Sequence, residues 1–377
     1  MTGFTTNAIH AVSNNEYEAI MPPIHLATTF GQPTDGTAGP YEYQRGGSPT
    51  RSDLEQALAT IEDAKHAFAY PSGMGASAAA MGILNSGENL ILGMPSYGGN
   101  YRFATVELPK RGVGVRFVGD FSTLSDDDFA DNVKMVFWES PTNPTLQVSD
   151  IAQIAEIAHR NGALLVVDNT FMTPYLQRPL DLGADITVQS ATKYLGGHGD
   201  LLAGVAATNN DELATELWRA QLINGSVLSP IDSYRLLQNI KTLALRLDRQ
   251  QENAQKIIEF LQDHPKVQQV LYAGGASDEQ AEIQARQARG NGAVFSIKLI
   301  DTANIKAFLD ALTIFDFAVS LGGIESLICL PATMTQEAYT QEHLDEFGVD
   351  ANLIRLAIGI EDAEDLIADL DQALAAA

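Results

Sequence analysis

Two side chains able to do chemistry stand at comparable places in the chain. Asp168 closes an apolar run, Ala163 to Val167, and Lys193 follows a second run, Ile186 to Val188, by way of Gln189, Ser190 and Thr192. A lysine amine forms imines with carbonyl compounds and is a nucleophile when its pKa is depressed. Both runs are short, β-branched and flanked by turn residues, the pattern of buried strands in an α/β sheet. Polar residues just past such strand ends lie where open α/β sheets bind ligands. Any α/β protein can carry an Asp after one strand and a Lys after another, so these two residues alone leave ordinary structure as open as a working site.

A third stretch, PSGMGASA over residues 71–78, reads as a loop turning into a helix. Free backbone N–H groups and the positive end of the helix dipole suit a phosphate there, with Gly73, Met74 and Gly75 as contact points. Gly73-x-Gly75-x-x-Ala78 also fits the dinucleotide fingerprint. That reading wants an acid closing the next strand, and NLILG ends in Gly93-Met94-Pro95. Small residues for close helix packing are a further reading. Neither a Walker-type loop nor HExxH occurs. A phosphate cradle, an acid at one strand end and a lysine after another form the set that pyridoxal phosphate requires. The lysine holds the cofactor, and the carboxylate keeps its pyridine nitrogen protonated as an electron sink. Ser190 and Thr192 add hydroxyls for the phosphate.

The elements that must position these groups follow a regular alternation. TRSDLEQALATIEDA reads as a helix, HAFAY as a strand, then the loop and an Ala-rich helix. NLILG, VGVRFVG and VKMVFWES continue as strands, and DIAQIAEIAHRNG is an amphipathic helix closed by Asn161-Gly162. The alternation runs to about residue 208 and predicts a large, mostly parallel, doubly covered sheet of an α/β fold. Residues 212–262 are helical in pattern, and 231–262 reads as one long helix linking two domains. QQVLYAG, AVFSIKLI and LIRLAIGI predict strands of a smaller C-terminal α/β domain. The expected division is an arm at 1–48, a large domain at 49–240 and a small domain at 241–377. The arm has little periodicity and many turn residues, so it must lie on another surface, and a neighbouring subunit is a natural candidate.

With 377 residues, 45% of them hydrophobic, the chain supplies a large core. A net charge of −25 argues against nucleic acid, because Lys and Arg are too few to neutralise phosphates. The single cysteine, Cys329, rules out an internal disulfide framework and a Cys-rich zinc site, and its apolar neighbours predict a buried thiol. No metal site is expected. The first residues lack a basic stretch followed by an apolar one, and no long apolar run occurs, so a cytoplasmic protein without membrane attachment is expected.

Many ordered motifs at compatible spacing then point one way: PPIHLATTF, YQRGGSPTR, YPSGMGA, YGG, ESPTNPT, VDNTF, SATKYLGGHGD, SLGGIESL and IRLAIGIED. With them the chain resembles, over nearly its whole length, the Cys/Met-metabolism family of pyridoxal-phosphate enzymes. That family includes cystathionine γ-synthases, cystathionine γ- and β-lyases and methionine γ-lyases. The resemblance implies the aspartate-aminotransferase type of fold (PLP fold type I). It makes Lys193 the Schiff-base lysine and Asp168 the partner of the pyridine nitrogen. Gly73, Met74, Ser190 and Thr192 become phosphate contacts, and Tyr97 the ring stacked on the cofactor. Tyr43 and Arg45 would reach the phosphate of a neighbouring subunit, in a homotetramer built of two such dimers. Arg355 would hold the substrate α-carboxylate, with Asn143 and Ser320 beside it. His198 reads as structural, since Lys193 already serves as the base.

The implied activity is carbon–sulfur cleavage of L-cystathionine, with γ-replacement on an activated homoserine as the alternative. Arg102 stands where members acting on cystathionine place an arginine for the distal carboxylate. Gly99 stands where methionine γ-lyases typically carry a cysteine. Three positions depart from the family pattern: Val319 replaces a common glutamate, Ser48 an asparagine, and Gln336 a histidine. Val319 leaves room for β- as well as γ-elimination.

Overall fold

A computed structural model of the chain describes residues 2–12 and 17–377; Met1 and residues 13–16 of the expected arm lie outside it. Seven strands form the large sheet: β1 (His66–Tyr70), β2 (Asn89–Gly93), β3 (Gly114–Val118), β4 (Val133–Glu139), β5 (Leu164–Asp168), β6 (Ile186–Gln189) and β7 (Gly204–Thr208). Their order is β1-β7-β6-β5-β4-β2-β3. The run from β3 to β6 is parallel, and only β7 turns against its two neighbours. Order and direction together bring the C-terminal ends of β4, β5 and β6 side by side.

Alternate residues of one strand serve opposite cores, as a sheet covered on both faces demands. Val166 and Val188 pack with Ala76, Ala80 and Leu217 on one face. Leu165 and Val167 pack with Trp138, Ile154 and Ala158 on the other. Leu165 has no solvent exposure; truncating such a side chain to alanine costs about 2–5 kcal/mol. The helix Ile151–Arg160 that covers this second face begins at Asp150, whose side chain accepts from Gln153 N–H. It ends at Asn161 and at Gly162, which has φ +69°.

The smaller sheet contains β8 (Val267–Leu271), β9 (Val294–Leu299), β10 (Asp316–Phe317), β11 (Leu327–Cys329) and β12 (Leu353–Ala357), in the order β10-β11-β12-β9-β8. It is antiparallel except for the β10–β11 pair. One face packs on the helices Leu243–Gln262 and Ala363–Ala376. Cys329 lies buried in β11.

Two segments differ from the sequence expectation. The single helix expected over 231–262 is broken: Pro230–Asn239, a 3-10 turn Ile240–Thr242, then Leu243–Gln262. The buried guanidinium of Arg246 accounts for the break, donating to the carbonyl of Asn239 and to Thr242 Oγ1, and also to the carbonyl of Tyr194. The arm is not wholly irregular either. Phe4–His10 is a short helix, α1, which buries Ala8 and sets Phe4 5.1 Å from Tyr175 between ring centroids. Among the described residues no helix is long and apolar enough to cross a membrane.

Candidate active site

The C-terminal ends of β4, β5 and β6, the start of the helix α3 (Gly73–Met81) and the turn at Leu321 line a cleft of about 160 Å³. It is lined by Gly73, Met74, Tyr97, Glu139, Asn143, Asp168, Ser190, Thr192 and Lys193, among others. Thus the cradle, the acid and the lysine, separate in sequence, share one wall.

The cradle forms because Ser72 caps α3, its hydroxyl accepting from Gly75 N–H at 3.1 Å. Helix geometry leaves the N–H groups of Gly73 and Met74 without intrahelical acceptors. A Cβ on Gly73 would meet Ser190 Cβ at 2.6 Å, so only glycine lets α3 approach the end of β6 this closely. Thr192 lines the cleft, but its hydroxyl is engaged with Ala203, donating to the carbonyl at 3.2 Å and accepting from the N–H at 3.1 Å.

Asp168 ends β5 and is buried. Its Oδ1 accepts from Thr170 N–H at 3.0 Å and from the Thr170 hydroxyl at 2.5 Å. Burial nevertheless pushes its carboxyl above the usual range, against the pull of Thr170 and of the neighbouring Asn100 amide. Such an acid lacks a cation, and a protonated pyridine would supply one. Thr170 also accepts from Ser190 N–H at 2.8 Å, so one hydroxyl ties the ends of β5 and β6 together. Sequence reasoning missed Thr170; a hydroxyl two residues after a strand-end Asp was the available signal.

Lys193 Nζ donates to Ser320 Oγ at 2.9 Å. Burial, then the nearby Arg355 guanidinium, hold the amine down to about 8. Ser320 keeps φ at +99°, a region L-residues rarely occupy and whose strain costs about 1–3 kcal/mol. Next to it, Gly322 has φ +75°, and a Cβ there would meet Tyr194 N at 2.6 Å, so this turn is pressed onto the lysine's own backbone.

Arg355 is buried in β12, between β11 and β9. It donates to Asn143 Oδ1 at 3.0 Å and to the Ser320 carbonyl at 2.7 Å, while its buried Nε has no partner among the described residues. Asn143 is itself fixed: Gln336 donates to its carbonyl at 3.1 Å, and Ser296 to that of Pro144 at 2.7 Å. Gln336, a departure with no account from sequence, therefore holds the turn that carries Asn143. Ser48, another departure, precedes the helix α2 (Pro49–Glu62) with its hydroxyl buried and without a partner among the described residues, and nothing in the structure explains it.

Three expected residues lie apart from this cleft. Tyr43 is about half exposed, and Arg45 lies over its ring at 5.8 Å while donating to the Leu222 carbonyl. Arg102 is exposed and pairs with Glu337 at 3.4 Å. Val319 is half exposed beside Ser320, where an adjoining cleft is lined by Asp200, Asp316 and Glu325. Gly99 leaves no room for a side chain in this arrangement: a Cβ would meet the Tyr97 ring at 2.4 Å.

The family model for Cys/Met metabolism PLP-dependent enzymes matches residues 5–375. A cystathionine gamma-lyase of Dictyostelium discoideum is 45% identical, over 98% of this chain and 97% of its own. A cystathionine beta-lyase of Lactococcus lactis subsp. cremoris is 42% identical over 99% of each. The crystal structure of cystathionine gamma synthase from Xanthomonas oryzae pv. oryzae in complex with cystathionine superposes with a TM-score of 0.96 at 38% identity, covering 100% of this chain and 98% of that one. The fold is that of the PLP fold type I enzymes, and the chain belongs to the Cys/Met metabolism PLP-dependent family.

Proposed function

We propose that the protein is a pyridoxal-phosphate carbon–sulfur lyase acting on L-cystathionine. Overall, cystathionine and water give cysteine, 2-oxobutanoate and ammonia by γ-elimination. A lesser β-elimination gives homocysteine, pyruvate and ammonia. The observation that carries this reading is the Lys193–Ser320–Arg355–Asn143 chain, which sets an amine of lowered basicity beside a buried guanidinium.

The cleft suits the cofactor on its own terms: a glycine cradle at a helix N-terminus for the phosphate, and a buried acid in want of a cation for the ring nitrogen. Bound there, pyridoxal phosphate supplies an electron sink for the bonds to the substrate's Cα. Gly73, Met74 and Ser190 would hold the phosphate, with Thr192 beside them, and Tyr97 would lie on the ring. Arg355 would take the α-carboxylate, and Asn143 orients the guanidinium. Lys193, as a neutral amine, would remove the Cα proton, and the Ser320 hydroxyl limits where its Nζ stands. Arg102 receives the distal carboxylate of cystathionine.

The division into an arm at 1–48, a large domain at 49–240 and a small domain at 241–377 belongs to the same reading. So does assembly as a cytoplasmic homotetramer of two dimers, in which each arm carries Tyr43 and Arg45 to its neighbour's phosphate. Exposed Tyr17, Ile20, Leu26 and Tyr43 on the arm support a covering subunit. A γ-replacement transferase is the second reading, favoured by the likeness to a cystathionine gamma synthase.

Incubation with cystathionine, followed by identification of the keto acid, tests the proposal. 2-Oxobutanoate with detectable pyruvate is expected, because Val319 brings no charge to hold the distal ammonium in one direction. Absence of any keto acid, with cystathionine forming from O-acetylhomoserine and cysteine, would replace the lyase by the transferase.

A further inference from the structure

The cleft contains a second buried carboxyl that the reaction as described leaves unused. Glu139 closes β4 in register with Asp168 of β5, and only 5% of its surface is exposed. It does not stand idle. Its Oε2 accepts from Tyr97 N–H at 3.0 Å and from the Ser96 hydroxyl at 3.5 Å, and the nearby Asn143 N–H draws the carboxyl down against its burial.

Tyr97 and Asn143 both line the cleft and belong to two separate loops. One is the 95–97 loop, which carries the Tyr97 ring and is pinned a residue earlier by Tyr339. The Tyr339 hydroxyl accepts from Ser96 N–H at 2.8 Å and donates to its carbonyl at 2.7 Å. The other is the Asn143 turn, which holds Arg355 at 3.0 Å.

We propose that Glu139 is a positioning residue for the reaction: by tying the backbones of Tyr97 and Asn143 to one carboxyl, it fixes the spacing between the ring over the cofactor and the guanidinium for the substrate carboxylate. It does so as a neutral acid. Burial and the facing Asp168 both keep the proton on Glu139, which leaves the negative charge to Asp168, where the ring nitrogen needs it. What Glu139 contributes is an acceptor at a set height, not a charge.

The inference rests on the functional reading above, and paired variants separate shape from charge. Glu139→Gln keeps a neutral side chain of the same length with an oxygen still accepting. Glu139→Asp keeps the acid but withdraws it by one methylene, leaving buried N–H groups unpaired. In Glu139→Asp, the KM for cystathionine should rise about tenfold and apoprotein affinity for pyridoxal phosphate fall about as much, with kcat changed far less. Glu139→Gln should stay within about threefold of wild type on both.

The opposite order, or two variants alike, overturns the proposal. Amide hydrogen exchange on the wild-type holoenzyme gives a readout independent of how the variants fold. Protection at both Tyr97 and Asn143 supports the tie, and unprotected amides there overturn it. A wild-type protein without cofactor on Lys193 would sink the functional reading, whereas a loaded enzyme with a normal Glu139→Asp variant sinks only this inference.

Discussion

The cleft wall and the N-terminal arm carry candidate residues in opposite ways. In the wall, Asp168 and Lys193 are held by strand ends, by Thr170 and by the strained turn at Ser320, all from one chain. In the arm, Tyr43 is half exposed, and Arg45 lies over its ring and donates to the Leu222 carbonyl of its own chain. What holds the arm is its backbone: the buried guanidinium of Arg51 donates to the carbonyls of Gln44 and Arg45 at 2.9 and 3.4 Å. The wall is built to keep side chains in place inside the molecule. The arm is built to keep a stretch of chain in place with its side chains facing outward. The first is a candidate site; the second, on the proposed reading, is a component offered to one in a neighbouring subunit.

That contrast predicts a graded series of effects. Asp168→Asn keeps the shape of the wall and removes its charge, so turnover should fall about 10²–10³-fold even at saturating cofactor. Normal turnover by a loaded variant would make the acid merely structural. The arm should behave differently, because its loss can be made good by another copy. Mixing Lys193→Ala with Arg45→Ala subunits should restore about a quarter of wild-type activity, one intact site in each mixed dimer. No recovery after verified subunit exchange would return the whole site to one chain.

A pH series tests the wall more gently. Burial holds Lys193 down to about 8, and only the neutral amine can take up the cofactor aldehyde. Cofactor capture by apoprotein should therefore climb about tenfold per pH unit below 8 and level off above it. A plateau delayed until above pH 10, the ordinary lysine range, would show an amine that is not buried. For folding the sign is the reverse of a gained partner. The unfolded chain binds this proton more tightly, so the Lys193 contribution to apoprotein stability improves as pH rises from about 8 to 10.5.

The smallest effect is expected at Arg102, an exposed residue already paired with Glu337. Arg102→Ala should lower kcat/KM about tenfold on cystathionine and leave cysteine, which has no distal carboxylate, unchanged. An equal fall on both would make the Arg102–Glu337 pair a structural link, of the weak kind usual at surfaces.

Sequence reading reached the wall further than its supports. Short β-branched runs ending in Asp168 and Gln189 are legible because buried parallel strands leave so few alternatives. The cradle was legible because glycine is needed where α3 meets Ser190. The strands Asp316–Phe317 and Leu327–Cys329 are too short to leave a period. The break at Ile240–Thr242 depends on Arg246 reaching back to Asn239, a contact that periodicity does not encode. The bond from Gln336 to Asn143 joins residues far apart in the chain, and no local pattern announces it. What stayed hidden is strands too short to show a period and the reach of single side chains to backbone carbonyls outside their own element.

The central claim is that the amine at the end of the wall is the one that holds the cofactor. Reducing the purified yellow protein with borohydride, digesting it and locating the modified lysine by mass spectrometry tests that claim most directly. The account predicts the reduced pyridoxyl group on Lys193 alone, with Lys193→Ala colourless and inactive. A pyridoxyl group on any other lysine, or a Lys193→Ala protein that still turns over, would contradict it.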